Sequence, residues 1–334
     1  MVSAVIFVAT SCVSPLTGFA FWETNLAYEG ESIYNYLQVK NLSDRTILST
    51  NVLFGVQSVT MKDKGLTGMY YDTALAAPAL ADNANSALIL GMGTGTYARQ
   101  LKQYYPKMNI TGVEIDQKIT DLAGEYFDEP ADIPVTTYDG RAWLAASHDK
   151  CDVIMVDAYQ DITIPFQMSS TEFFTMVREH LNPGGVMVVN MNMISDGQGS
   201  INEALSDTIA SVFGNGNTLT ADVPNTTNRE LFAKKPGSGS EENSMQQASK
   251  ALNLRETTYE RTGSEDLEWY MEEVASRFRK VNEPDSASTI LTDDKAPVEV
   301  LGMHAIDQII ADEAGPYRQI LKDEGFGGLL RAVQ

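Results

Sequence analysis

The sequence predicts a doubly wound, mostly parallel α/β sheet, preceded by a small antiparallel β region and followed by a helical extension. Three observations predict it. Apolar runs of strand length recur at "ALILG", "NITGVEID", "IPVTTYD", "DVIMVD" and "VMVVNM", and such near-continuous runs mark parallel strands buried on both faces. Segments with helical spacing lie between them, "TYARQLKQYY" and "STEFFTMVREHL" among them, giving the alternation of a doubly wound sheet. The first run also ends in a glycine-rich turn, "LGMGTGT", which feeds directly into a helical segment.

The elements follow in chain order. Residues 1–22 form an apolar stub with no charge from Val2 to Trp22. A membrane span needs about 20 apolar residues, and Ser, Thr, Pro and Gly dilute this one. No basic residues precede it, which speaks against a signal peptide, and a lipoprotein reading at Cys12 is weaker still. The stub is expected to be a membrane-segment remnant or signal-like, with membrane association through 1–22 kept open. Residues 23–68 carry the β-like runs "YNYLQV", "RTILST" and "FGVQSV", a small antiparallel β region. Residues 69–235 form the nucleoside-binding α/β domain, entered through the helix "MYYDTALAAPAL". Residues 236–334 begin with the polar linker "PGSGSEENS" and continue as a charged, helical extension.

Composition narrows the partners. The 334 residues carry a formal charge of -21. That repels phosphate backbones, so no nucleic-acid partner is expected, and it suits a small cationic substrate such as a polyamine. The two cysteines, Cys12 and Cys151, form neither a disulfide framework nor a zinc spacing. Cys151 opens an apolar run and reads as a small buried side chain. His148, His180 and His304 are scattered, so no metal is expected.

In a doubly wound sheet, ligands bind beyond the carboxyl ends of the strands, at the switch point. Gly91-Met92-Gly93-Thr94-Gly95 ends the first parallel strand, where glycines let the backbone approach a ligand. The helix after it favours a negative group at its N-terminus. Glu114, closing "GVE", lies about 20 residues on, the distance at which a carboxylate meets ribose hydroxyls. The spacing is G-x-G-x-G, not the G-x-G-x-x-G of a pyrophosphate site, so a nucleoside without pyrophosphate fits better. Asp139 and Gly140 in "YDG" follow the third strand, and Asp157 in "VDAYQD" follows the fourth. Each acid could instead cap the next helix. As a set at matching strand ends they point to one crevice.

These motifs resemble the spermidine synthase-like proteins of the class I S-adenosylmethionine-dependent transferase fold, a methyltransferase-like Rossmann fold. The resemblance runs from about Glu29 to Phe232 with a tail motif, "LTDDKAPVE". It includes Gln38 in "YLQV", Gln57 in "FGVQSV", the glycine turn, "VEID", "YDG", "VDAYQD" and "LNPGGVMVVN", in family order. In "MYYD", Tyr70 matches the family's Tyr-His-Glu, while Tyr71 and Asp72 replace the other two. The wording of the later motifs is similar to a subgroup often fused behind membrane segments.

The resemblance implies aminopropyl transfer from decarboxylated S-adenosylmethionine to a polyamine amine, in a cytoplasmic catalytic domain, with a membrane-associated setting and a homodimer kept open. By position, Gln38, Gly91, Gly93, Thr94, Gly95, Glu114, Asp139 and Gly140 would hold the donor. Glu114 would take the ribose and Asp139 the adenine amino group. Asp157 would be the base on the attacking amine, assisted by Tyr159. Gln57, Tyr70, Asp72 and Asp161 would face the amine substrate. The sequence departs from the family at Thr94, where the enzymes carry an Asp that pairs with the donor's propylamine, and at Asp161, which is one position displaced. Two alternatives follow. One is a methyltransferase using intact S-adenosylmethionine, favoured by the neutral Thr94. The other is a non-catalytic nucleoside-binding domain.

Overall fold

The computed structural model describes residues 23–51, 56–128, 132–158, 164–192, 199–237, 244–286 and 288–304, with a few isolated positions besides. Apart from Ala20, the apolar stub lies outside the described residues, as does the end of the C-terminal extension. No helix among the described residues is long and apolar enough to cross a membrane.

Two sheets organise the chain. The first has four antiparallel strands in sequential order, β1 (Leu26–Glu31), β2 (Tyr36–Asn41), β3 (Arg45–Thr50) and β4 (Ser58–Met61). This is one strand more than the three runs expected. Leu26–Glu31 alternates weakly, with half-buried residues on both faces, and so gives little signal in sequence. Two short helices follow, α1 (Tyr70–Ala74) and α2 (Ala76–Leu80).

The main sheet then starts with β5 (Ser86–Leu90), α3 (Thr96–Tyr104), β6 (Asn109–Glu114), α4 (Gln117–Tyr126), β7 (Val135–Thr137) and α5 (Gly140–Ala146). It continues with β8 (Cys151–Val156), α6 (Thr171–His180), β9 (Leu181–Met191), α7 (Ile201–Phe213), β10 (Thr218–Asp222) and β11 (Arg229–Lys234). The C-terminal part adds α8 (Ser244–Ala248), α9 (Ala251–Thr262), α10 (Glu265–Arg277) and β12 (Phe278–Lys280). The strand order is β12-β10-β11-β9-β8-β5-β6-β7. Strands β5 to β9 run parallel to one another, and β10 to β12 add an antiparallel wing joined through β9 and β11.

Strand β8 shows why the apolar runs become central strands. Val153 and Met155 enter one core cluster and Ile154 and Val156 the other, all fully buried. Side chains alternate across a strand, so a strand covered on both faces must be apolar at every position. Each such side chain contributes about 1.5–3 kcal/mol by leaving water. Cys151, at the exposed end of this strand, is half-buried rather than buried, and its thiol is pushed up to about 11 by burial and the neighbouring Asp149 and Asp152.

The small sheet is held against the main one. Leu37, Val39 and Leu48 pack on Ile119, Leu122 and Phe127. Thr96 Oγ1, in the first turn of α3, accepts from Val59 N at 3.1 Å and donates to Val59 O at 2.8 Å. Strand β5 has β6 on one side and β8 on the other, so the chain winds outward from it in both directions. The switch point therefore lies at the carboxyl ends of β5 and β8, beneath the small sheet.

Candidate active site

The glycine turn is shaped by what lies beside it. The parallel ladder runs one residue past β8, where Asp157 N donates to Leu90 O at 2.9 Å. That brings the Asp157 backbone against Gly91. A Cβ on Gly91 would sit 2.4 Å from the Asp157 carbonyl oxygen, and Gly91 has φ of 88°. Both facts restrict the position to glycine. Gly91 N and Met92 N donate to Val113 O at 2.9 and 3.0 Å, so the turn folds back over the end of β6.

Glu114, the last residue of β6, fastens the turn. Its carboxylate accepts from Gly93 N at 2.7 Å and from Asp116 N at 3.0 Å. Burial raises its pKa above the usual carboxylate range, and the backbone N–H groups oppose that shift. Asp139 caps α5, its Oδ1 accepting from Ala142 N at 2.8 Å. The capping role anticipated for such acids is thus real here, and Asp139 faces the same cavity.

Asp157 is held by side chains. Its Oδ2 accepts from the Tyr70 hydroxyl at 2.7 Å, and its Oδ1 from Asn190 Nδ2 at 2.9 Å. The Asn190 amide is itself oriented, because its Oδ1 accepts from Asn228 Nδ2 at 2.9 Å. Burial pushes the Asp157 carboxyl up to about 7, the Tyr70 and Asn190 hydrogen bonds pull it down, and Glu114 adds a smaller upward push. A carboxylate titrating near neutrality can take a proton and give it up under working conditions.

These elements enclose a cavity of about 330 Å³. Eight of the residues singled out in the sequence line it together: Gln57, Tyr70, Gly91, Gly93, Glu114, Asp139, Gly140 and Asp157. Ile115, Tyr138 and Met168 supply apolar wall. A larger groove of about 520 Å³ lies between α7 and the segment after β12 and contains none of the eight.

Four of the singled-out residues stand elsewhere. Gln38 is buried on β2, its Nε2 donating to the Tyr36 hydroxyl at 3.0 Å; it alternates with Leu37 and Val39, which face α4. Asp72 is saturated locally by Thr67 N, Thr67 Oγ1 and Gly68 N at 2.9, 2.8 and 2.6 Å. It shapes the turn entering α1 and has little left for an amine. Gly95 is the left-handed N-cap of α3. Thr94 is fully buried, its hydroxyl without a partner, and it is absent from the cavity lining. Tyr159 and Asp161 lie outside the described residues.

The structure adds residues that sequence reasoning missed. Asn190 sits inside an apolar run that carries only a strand signal, and Asn228 precedes β11 in polar sequence. Asp293, within the tail motif, pairs bidentately with Arg141 at 2.7 and 2.5 Å and accepts from Ser170 Oγ at 2.5 Å. Arg141 also donates to Gln167 O at 2.8 Å, and Gln167 lines the cavity. The tail motif was visible as a motif; its contact partner was not. Among the described residues no group of three or more His, Cys, Asp or Glu could hold a metal ion.

The fold is that of the class I methyltransferase-like transferases, with a parallel sheet wound from a glycine turn and an antiparallel wing. Residues 69–235 match the spermine/spermidine synthase domain, half of the chain, and the chain belongs to that family. It is 99% identical over its full length to a probable polyamine aminopropyl transferase of Bifidobacterium longum, spanning 75% of that protein. It is 27% identical over 209 residues to a polyamine aminopropyltransferase of Vibrio vulnificus, covering 60% of this chain and 69% of the relative. Among solved structures it is similar to a probable spermidine synthase from Corynebacterium glutamicum, with a TM-score of 0.55, 21% identity, and coverage of 80% of this chain and 99% of that one.

Proposed function

We propose that this chain is a polyamine aminopropyltransferase that uses decarboxylated S-adenosylmethionine as donor and a small diamine or polyamine as acceptor, with Asp157 as the base. The names of its relatives support the activity. The observation that carries the choice of donor is the charge of the cavity. Three carboxylates line it, Glu114, Asp139 and Asp157, and no Lys or Arg does so among the described residues. A donor that keeps its carboxylate would meet repulsion and no cation. One that ends in a lone ammonium meets attraction.

The chemistry follows from the same groups. An alkyl ammonium has a Lys-like pKa of about 10 and must lose its proton before it can attack. Asp157 accepts that proton. The freed lone pair forms a C–N bond at the carbon beside the donor's sulfonium, the C–S bond breaks, and its electron pair stays on sulfur as a neutral thioether. Tyr70 and Asn190 aim the carboxylate. Glu114, already fixed by two backbone N–H groups, offers its remaining lone pairs to ribose hydroxyls, and Asp139 lies within the same lining for the base.

The test is to incubate the protein with each donor form and a panel of polyamines and to identify the nucleoside product by mass spectrometry. Methylthioadenosine is expected, together with an amine heavier by one aminopropyl group. S-adenosylhomocysteine from the intact donor would replace this reading with methyl transfer.

A further inference from the structure

The tail motif "LTDDKAPVE" stands outside the cavity, yet it is stitched to one of the cavity's walls. That wall is a single turn, Phe166–Met168, with Pro165 before it, at the entry to α6. Pro165, Gln167 and Met168 line the cavity. Met168 reaches toward Gly140, beside Asp139: a Cβ on Gly140 would lie 3.6 Å from Met168 Cε. The bonds from Met168 N to Pro165 O and from Ser169 N to Phe166 O are internal to the turn, and Phe166 is half exposed. Apart from the buried Met168, the turn is anchored from outside.

The anchor is the tail. Asp293 takes both terminal nitrogens of Arg141, and Arg141 Nη1 also donates to Gln167 O at 2.8 Å. Asp293 Oδ1 accepts in addition from the hydroxyl of Ser170, the fully buried N-cap of α6. The neighbouring backbone repeats the attachment. Thr171 N donates to Leu291 O at 2.9 Å, and Asp293 N to Glu172 Oε2 at 3.1 Å. Leu291 and Val298 then sink into the same core cluster as Met168. Arg141 lies in the first turn of α5, the helix that Asp139 caps. One guanidinium thus ties that helix, the turn and the tail together. The Arg141 and Ser170 hydrogen bonds hold the Asp293 carboxyl below the usual range, so the pair is charged.

We propose that Asp293 and Arg141 are positioning residues for the donor's nucleoside: they clamp the Pro165–Met168 wall at a fixed spacing from Asp139 and Gly140, and so set donor affinity without touching donor or amine. That a nucleoside occupies this end of the cavity rests on the reading under Proposed function. A preformed wall costs nothing to order on binding, whereas a wall in its binding position for only part of the time lowers the apparent affinity by that fraction. The pair is partly exposed, so its loss changes global stability little. A wall released to hold its place about one time in five would still weaken the nucleoside about fivefold. Among the described residues the clamp shares no hydrogen bond with Asp157, so the base and the chemical step stay as they are.

Calorimetry on the full chain tests this with methylthioadenosine as the probe, a nucleoside that carries base and ribose but no amine. Asp293→Asn is expected to weaken it about fivefold, with a melting temperature close to native. In steady state the donor KM rises by a similar factor, while kcat and the acceptor KM stay within about twofold. Arg141→Gln gives the same loss, and joining it to Asp293→Asn adds little, because the two act as one unit. Arg141→Gln also serves alone if Asp293→Asn does not fold. Methylthioadenosine affinity within about twofold of native, or a fall in kcat with donor KM unchanged, would overturn the clamp. Loss of the fold in both variants would overturn it too, since the pair would then be carrying the core. A native protein that binds no methylthioadenosine would remove the nucleoside site and the clamp with it. Product analysis run in parallel separates the two readings. Methylthioadenosine formed with an unchanged donor KM keeps the transferase and removes the clamp. S-adenosylhomocysteine formed with a clamp-dependent donor KM does the reverse.

Discussion

Glu114 and Asp157 occupy equivalent places on either side of β5, each a carboxyl at the end of a parallel strand, Glu114 buried and Asp157 half-buried, and desolvation raises the pKa of both. They differ in what opposes that rise. Glu114 is held by two backbone N–H groups, from Gly93 and Asp116. Asp157 is held by two side chains, Tyr70 and Asn190. Backbone donors are fixed by the turn itself, so Glu114 belongs to a rigid cradle. Side-chain donors can rotate, and Asp157 also feels the charge of Glu114. The same residue chemistry thus yields a structural clamp on one side and a titratable group on the other.

The comparison breaks most visibly at Asp157. Asp157→Asn should lower the transfer rate by about 10²–10⁴-fold, the usual worth of a general base, while donor affinity by calorimetry stays close to native. It should also change stability with a definite sign. The folded pKa of about 7 lies above the ordinary value of 3.8. The folded state therefore holds its proton more tightly than the unfolded chain, and stability falls as pH rises from about 4 through about 7. The Asn variant should lose that decline in a pH series of thermal melts.

On the clamp side, Glu114→Ala should weaken donor binding by roughly 1.5–3 kcal/mol, because a charge-assisted contact is lost and the Gly93 and Asp116 amides lose their acceptor. Calorimetry reads the first effect and a lower melting temperature the second. Thr94→Asp sharpens the contrast, since Thr94 is fully buried and off the cavity lining. An acid there should cost about 1–3 kcal/mol of stability as an unpaired buried group, measurable by urea unfolding, before it alters donor choice. The smallest effect is expected at Arg141→Ala. Its partner Asp293 is substantially exposed, so the pair contributes about 0–1 kcal/mol, with a shallow salt dependence.

What the sequence revealed divides along the same line. The five parallel strands were legible because central positions such as Ile154 and Met155 must be apolar on both faces. The glycine turn and the strand-end acids were legible because strand ends are where a doubly wound sheet presents its ligand groups. Strands β10 to β12 were not, since Thr218–Asp222 and Phe278–Lys280 are short and mixed in polarity. Asn190 was invisible because register alone brings it to Asp157, and the register of β9 on β8 depends on a long-range pairing that no local pattern encodes. Thr94 shows the converse: its place in the motif drew attention to the donor, and its burial depends on Ser58 and the small sheet above it.

The most direct test of the account is the pH dependence of kcat/KM for the acceptor amine, in the native protein and in Tyr70→Phe. With Asp157 as the base, activity should fall about tenfold per unit as pH drops below about 7, the value to which burial raises it. Tyr70→Phe removes a hydrogen bond that lowers this pKa, so its acid limb should move to higher pH. An acid limb absent near neutrality, or one that Tyr70→Phe leaves in place, would contradict the assignment of Asp157 as the titrating base.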